Sequence, residues 1–150
     1  MLRHREMKRK HTVLAYTAGI MDGEGSISIA RKPNKKVKRG YSLGLVVTVN
    51  NTEQWLTEWL KMQYGGVVCL AKRGNKTEKP LWVWRIVARE ASEFLKLVLP
   101  YLTIRRPHAE NAIKFQEYRK LRGKRQATEQ QDAVEEAYRI LLKRRRGASD

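Results

Sequence analysis

The chain has 150 residues, enough for one domain with a sizeable core, and 41% of them are apolar, which excludes a disordered tail. Its formal charge is +17, from 32 Lys and Arg against 15 acids; an excess so far beyond what solubility needs points to a polyanionic partner, above all nucleic acid. No apolar run approaches the roughly 18 residues of a membrane span and none forms a signal-peptide core, so no membrane partner is expected, and a cytoplasmic, organellar or nucleoid location is expected rather than secretion.

Residues 1–11, MLRHREMKRKH, are basic without apolar periodicity and read as a flexible N-terminal arm, leaving 12–150 as a single domain. A helix is predicted at about 13–21. SISIARK then alternates with period two, giving a strand from 26 to about 36, and YSLGLVVTVN alternates again. The stretch between them, RKPNKKVKRG, carries six bases and no acid and forms a hairpin tip. NTEQWLTEWLKMQYGG reads as a helix capped by Asn51, with Gln54 three residues on, a stripe of Trp55, Leu56, Trp59 and Leu60, and Gly65-Gly66 as its end. VVCLAKR and LWVWRIV make a second strand pair around a basic loop at 74–79. REASEFLKLVLP is a helix stopped by Pro100. PHAENAIKFQEYRKLRG is another, with Pro107 in its first turn and Gly123 past its end. TEQQDAVEEAYRILLKRRR is the last, with Val134, Ala137, Tyr138, Leu141 and Leu142 on one side. The expected class is α+β: αββαββα with C-terminal helices, all helices covering one face of an antiparallel sheet.

Alternation assigns the two sheet faces. Ile27, Ile29, Leu43, Leu45, Val47 and Val49 pack inward. Ser28, Ala30, Lys32, Ser42, Gly44, Val46, Thr48 and Asn50 face outward, joined by Arg73 and Arg85 from the second pair. With Asn34, Lys36, Lys38 and Arg39 at the first tip and Asn75 and Lys76 at the second, this surface is small, polar and basic, and such a ribbon can enter a DNA major groove. A strand of ten residues at roughly 3.3 Å each spans about ten base pairs. A merely solvated face is the alternative.

The stretch AYTAGIMDGEGSI, residues 15–27, breaks an electrostatic rule. A helix C-terminus is the negative end of its dipole, yet Asp22 and Glu24 stand there between glycines. A bound divalent cation would reverse that penalty, and carboxylates with exposed carbonyls suit Mg²⁺. A plain Asp-Gly turn explains the residues as well. An EF-hand does not, because its twelfth position falls on Pro33. Zinc is excluded by the single Cys69 and the scattered His4, His11 and His108, and one cysteine leaves no internal disulfide. Ala15 and Gly19, one turn apart with Ala18 beside them, permit close helix approach, either to an internal helix or to the same helix of a second copy.

TAGIMDGEG, residues 17–25, resembles the motif of the LAGLIDADG homing endonucleases, and LPYLTIRRPHAENAIKF resembles a second segment common in that family; the resemblance spans roughly residues 13–122. It implies a saddle-shaped antiparallel sheet astride double-stranded DNA and Mg²⁺-dependent hydrolysis of both strands across the minor groove, with Mn²⁺ able to substitute. One motif per chain implies a homodimer on a long pseudo-palindromic site. By position, Glu24 is the implied metal-binding and catalytic acid and the Gly23 carbonyl a further ligand. Asp22 would buttress paired helices at a dimer interface shared with Ala15, Ala18 and Gly19. Asn51 falls where a polar residue orders water, a role compatible with or replaced by helix capping. Arg105 falls where a basic residue approaches the scissile phosphate. Three positions depart from the family pattern: Thr17 for Leu, Glu24 for the usual Asp, and Arg105 for Lys. The alternatives are an RNA maturase or an inactive DNA-binding regulator of this fold, and a basic scaffold on ribosomal RNA.

Overall fold

The computed structural model describes residues 2–72, 79–123 and 125–146. In chain order the elements are α1 (Leu2–Glu24), β1 (Gly25–Pro33), β2 (Tyr41–Asn51), α2 (Gln54–Tyr64), β3 (Val67–Leu70), β4 (Trp82–Val87), α3 (Ala88–Val98), a short 3₁₀ turn (Leu99–Tyr101), α4 (Arg106–Arg122) and α5 (Glu129–Arg146). The four strands form one antiparallel sheet in the order β1-β2-β4-β3. This is the expected αββαββα arrangement with C-terminal helices.

The register places like with like. Ile29 lies opposite Leu45, Val47 opposite Ile86, and Val49 opposite Trp84, so one face of the sheet is continuously apolar. Leu14, Ala18 and Met21 of α1, Leu60 of α2, Ala91, Phe94, Leu95 and Val98 of α3, Ala109, Ala112 and Phe115 of α4, and Leu142 of α5 close over it. Each large apolar side chain buried there contributes on the order of 1.5–3 kcal/mol. The indole N–H of the fully buried Trp84 is satisfied by the Gly65 carbonyl at 2.8 Å. Thr17, where the family motif has Leu, is also fully buried. Its hydroxyl bonds the Val13 carbonyl at 2.8 Å and meets the Tyr64 hydroxyl at 2.6 Å, so the polar substitution leaves nothing unsatisfied.

Four details differ from the sequence expectation. The helix begins at Leu2, so the supposed arm has helical backbone continuous with α1. β1 ends at Pro33, short of 36, because residues 34–40 turn on themselves: Asn34 N–H donates to the Gly40 carbonyl, and Gly40 N–H to Val37. Asn51 is the last residue of β2 and Glu53 is the N-cap of α2; Trp55 is exposed, and Thr57 with Leu60 faces the core. On α5 the inward turn is Glu135 and Leu142, whereas Leu141 is exposed. Apolar periodicity cannot anticipate a buried carboxylate.

Candidate nucleic-acid interface and catalytic centre

α1 passes into β1 without a loop, and Gly25 makes the junction possible. A Cβ there would lie 2.5 Å from Met21 Cε and 2.7 Å from the Met21 carbonyl oxygen. The two acids beside it have different surroundings. Asp22 accepts two backbone hydrogen bonds, from Thr103 N–H on Oδ2 and Arg105 N–H on Oδ1, each at 2.9 Å. Those donors lie at the start of α4, the positive end of that helix's dipole, and Arg105 is its N-cap residue. Asp22 thus caps α4 from across the fold, and α4 offsets the penalty of an acid at the end of α1.

Glu24 is exposed, and its Oε2 accepts from Asn51 Nδ2 at 2.6 Å. Asn51 Oδ1 accepts from Glu53 N–H at 2.7 Å, which fixes the orientation of the amide. The end of β2 therefore holds the carboxylate that the end of α1 presents. Arg105 joins this neighbourhood through its backbone bond to Asp22; its Nε is buried without a hydrogen-bond partner among the described residues. No group of three His, Cys, Asp or Glu side chains converges among the described residues. The oxygen donors present, the Glu24 carboxylate and the Gly23 carbonyl, are of the hard type that suits Mg²⁺.

Beside this end of α1 runs an open stripe. Ala15, Gly19 and Gly23 are exposed at intervals of one turn and, with Tyr16, Ile20 and Leu56, line a shallow groove. A Cβ at Gly19 or Gly23 would meet nothing within 4 Å among the described residues, so no contact there calls for glycine at either position. Ala18, expected at the same interface, is instead fully buried in the chain's own core: one residue off the stripe turns it by about 100° around the helix.

The uncovered sheet face carries the rows Ser26–Thr48–Arg85–Val67, Ser28–Val46–Val87, Ala30–Gly44 and Lys32–Ser42. Asn50 and Cys69 also belong to it, both opposite Val83. At the tip Lys36 and Lys38 are exposed. Asn34 spends its amide on the turn, donating to Ser42 Oγ at 2.8 Å and accepting from Lys36 N–H at 3.0 Å. Arg39 does not face out with them. It is turned inward, paired with Asp132 and Glu135 at 2.9 Å each, and so drops from the expected DNA-contacting set. Arg73, Asn75 and Lys76 lie outside the described residues. The inward cluster around Arg39 escaped sequence reasoning because its acids lie about a hundred residues away.

No family model and no curated protein matches the chain. Solved structures do. The homing endonuclease I-CvuI, in complex with its target, is 20% identical with a TM-score of 0.64, over 73% of this chain and 69% of that one. The archaeal intron-encoded homing endonuclease I-Vdi141I, complexed with DNA, is 16% identical with a TM-score of 0.74, over 90% and 84%. The I-SmaMI LAGLIDADG homing endonuclease, bound to cleaved DNA, is 26% identical with a TM-score of 0.57; the match covers 79% of this chain and 39% of that longer one. The fold is that of the LAGLIDADG homing endonucleases. The motif of residues 17–25, at the end of the first helix and the junction with β1, lies within that fold.

Proposed function

We propose that the chain is a site-specific, divalent-metal-dependent DNA endonuclease that acts as a homodimer on a long pseudo-palindromic site. The observation that carries this reading is the exposed Glu24, held by Asn51, at the end of a helix face left open by glycines and beside a polar, basic sheet. Two α1 helices meeting along Ala15, Gly19 and Gly23 would bring two Glu24 side chains to the symmetry axis. Each Glu24 and Gly23 carbonyl, completed by the partner's acid and by phosphate oxygens, would hold Mg²⁺, or Mn²⁺ in its place. Bound there, the ion would neutralise charge at the scissile phosphate and favour activation of water.

The remaining work belongs to the chain. Asn51 orients Glu24 through one amide atom and can help order the attacking water near the same carboxylate. The Arg105 guanidinium stabilises developing negative charge and is not the group that abstracts a proton. Water adds to phosphorus, the P–O3′ bond breaks, and the 3′ oxygen leaves with a proton. An RNA maturase would use the same basic surface, and an intron-splicing assay beside a plasmid-nicking assay separates the two.

The test is Glu24→Gln. Mg²⁺-dependent cutting of a site selected from a randomised library is expected to vanish while DNA affinity stays within about tenfold, a change of about 1.4 kcal/mol. Cutting that persists removes Glu24 from the mechanism.

A further inference from the structure

Glu135 of α5 is fully buried, and three guanidinium groups close on it: Arg39 of the β1–β2 tip at 2.9 Å, and Arg122 and Arg119 of α4 at 3.0 and 3.8 Å. Arg39 also reaches Asp132 at 2.9 Å, one turn back on α5, and donates from Nε to the Tyr41 carbonyl at 2.8 Å. The neighbouring Glu136 accepts from the Tyr41 hydroxyl and from Arg31 Nη2 at 3.1 Å. Burial opposes its charged form, yet hydrogen bonds from Tyr41 and Arg139 and the charges of Arg139 and Arg31 hold its carboxyl at about 2. The guanidinium groups of Arg31 and Arg39 lie 4.6 and 4.9 Å from the Tyr41 ring centroid. All these contacts gather at one end of the β1–β2 hairpin.

Buried ion pairs are weak stabilisers, since their desolvation cost rivals their attraction. What they fix is geometry, because a guanidinium fork tolerates few orientations. This hairpin needs such fixing. β1 is an edge strand whose last four residues are exposed, and the tip carries Lys35, Lys36 and Lys38, whose charges repel. At about 3.3 Å per residue, the nine residues of β1 carry the tip roughly 30 Å from Glu24.

We propose that the cluster centred on Glu135 is a positioning device that locks the β1–β2 tip against α4 and α5, so that Lys32, Lys36, Lys38 and Ser42 keep one register on DNA. Glu135 is then a specificity-determining residue, although its carboxylate is buried within the protein. This inference rests on the DNA-cutting reading, and its test separates the two.

Glu135→Gln in the full chain is read in two ways. In the free protein, the hydrogen-bonded amides of Asn34, Val37 and Gly40 are expected to exchange about tenfold faster, with those of the β3–β4 pair unchanged. On a randomised library, base preference is expected to flatten at the outer positions of the wild-type site and hold at the centre, with single-turnover cleavage at saturating enzyme kept within about threefold. Arg39→Lys, which keeps the charge and loses the fork, serves if the buried glutamine prevents folding, and the same pattern is expected in weaker form. Unchanged exchange at the tip of a folded variant overturns the proposal, as does preference lost evenly across the site. If the wild type selects no site, the nuclease reading fails, and the exchange measurement still decides whether Glu135 holds the tip.

Discussion

Asp22 shows how one side chain can contradict the rule of its own helix and satisfy that of another. On the dipole of α1 alone, removing this acid should stabilise the protein by a few tenths of a kcal/mol. On the geometry it should destabilise, because both carboxylate oxygens accept backbone N–H groups at the entry to α4. Asparagine has the same shape but one acceptor oxygen, so Asp22→Asn leaves one N–H facing an amide. We expect a loss of about 1–2 kcal/mol, read from the urea midpoint at constant m-value. A variant as stable as the wild type, or more stable, would show that the cap contributes nothing. Glu24 is the contrasting neighbour: it is exposed, and its carboxylate is met by the Asn51 side chain.

Among the elements, α1 has the clearest division of labour. Leu14, Ala18 and Met21 are committed to the core, while Ala15, Gly19 and Gly23 are exposed along a shallow groove. Glycine in a helix interior costs about 0.5–1 kcal/mol relative to alanine. Gly19→Leu should therefore fold, since its side chain meets open space, yet it should prevent close approach of a second α1. Sedimentation is expected to show the wild type as a dimer and this variant as a monomer with little change in thermal midpoint. An unaltered dimer would place the interface elsewhere. The halves of α1 also show what the sequence could reveal. The motif, the alternation of β1 and β2 and the inward set from Ile27 to Val49 were legible because they rest on periods of neighbouring residues. The displacement of Ala18 from the stripe was not, since spacing alone does not say which side of a helix is already taken. Neither was Asn51 as the partner of Glu24, because its capping signal is local and the bond that claims it spans 27 positions. The inward face of α5 was legible in part: Leu142 and Tyr138 reach the core as expected, whereas Glu135 is buried among Arg39, Arg119 and Arg122, which are distant in sequence.

At the scale of the whole molecule, the cations behind the charge of +17 include two contrasting groups. Arg31, Arg39, Arg119 and Arg122 are engaged by the acids of α5 and build structure. Lys32, Lys36, Lys38 and Arg85 are exposed on or beside the open sheet. The cations of this second group are placed to exchange counterions with a phosphate backbone. A dimer that neutralises about ten phosphates should lose affinity with salt, the log of its association constant falling against log salt concentration with a slope of order −9. Lys38→Ala, present twice in a dimer, should reduce that slope by about 2 and weaken all sequences alike, since a phosphate contact carries no base information. Binding titrations at several salt concentrations check both. A nearly flat wild-type slope would mean that the sheet does not track the backbone; an unchanged slope in the variant would mean that the hairpin tip stands clear of the phosphates, and the outer reach of the footprint would have to come from another element.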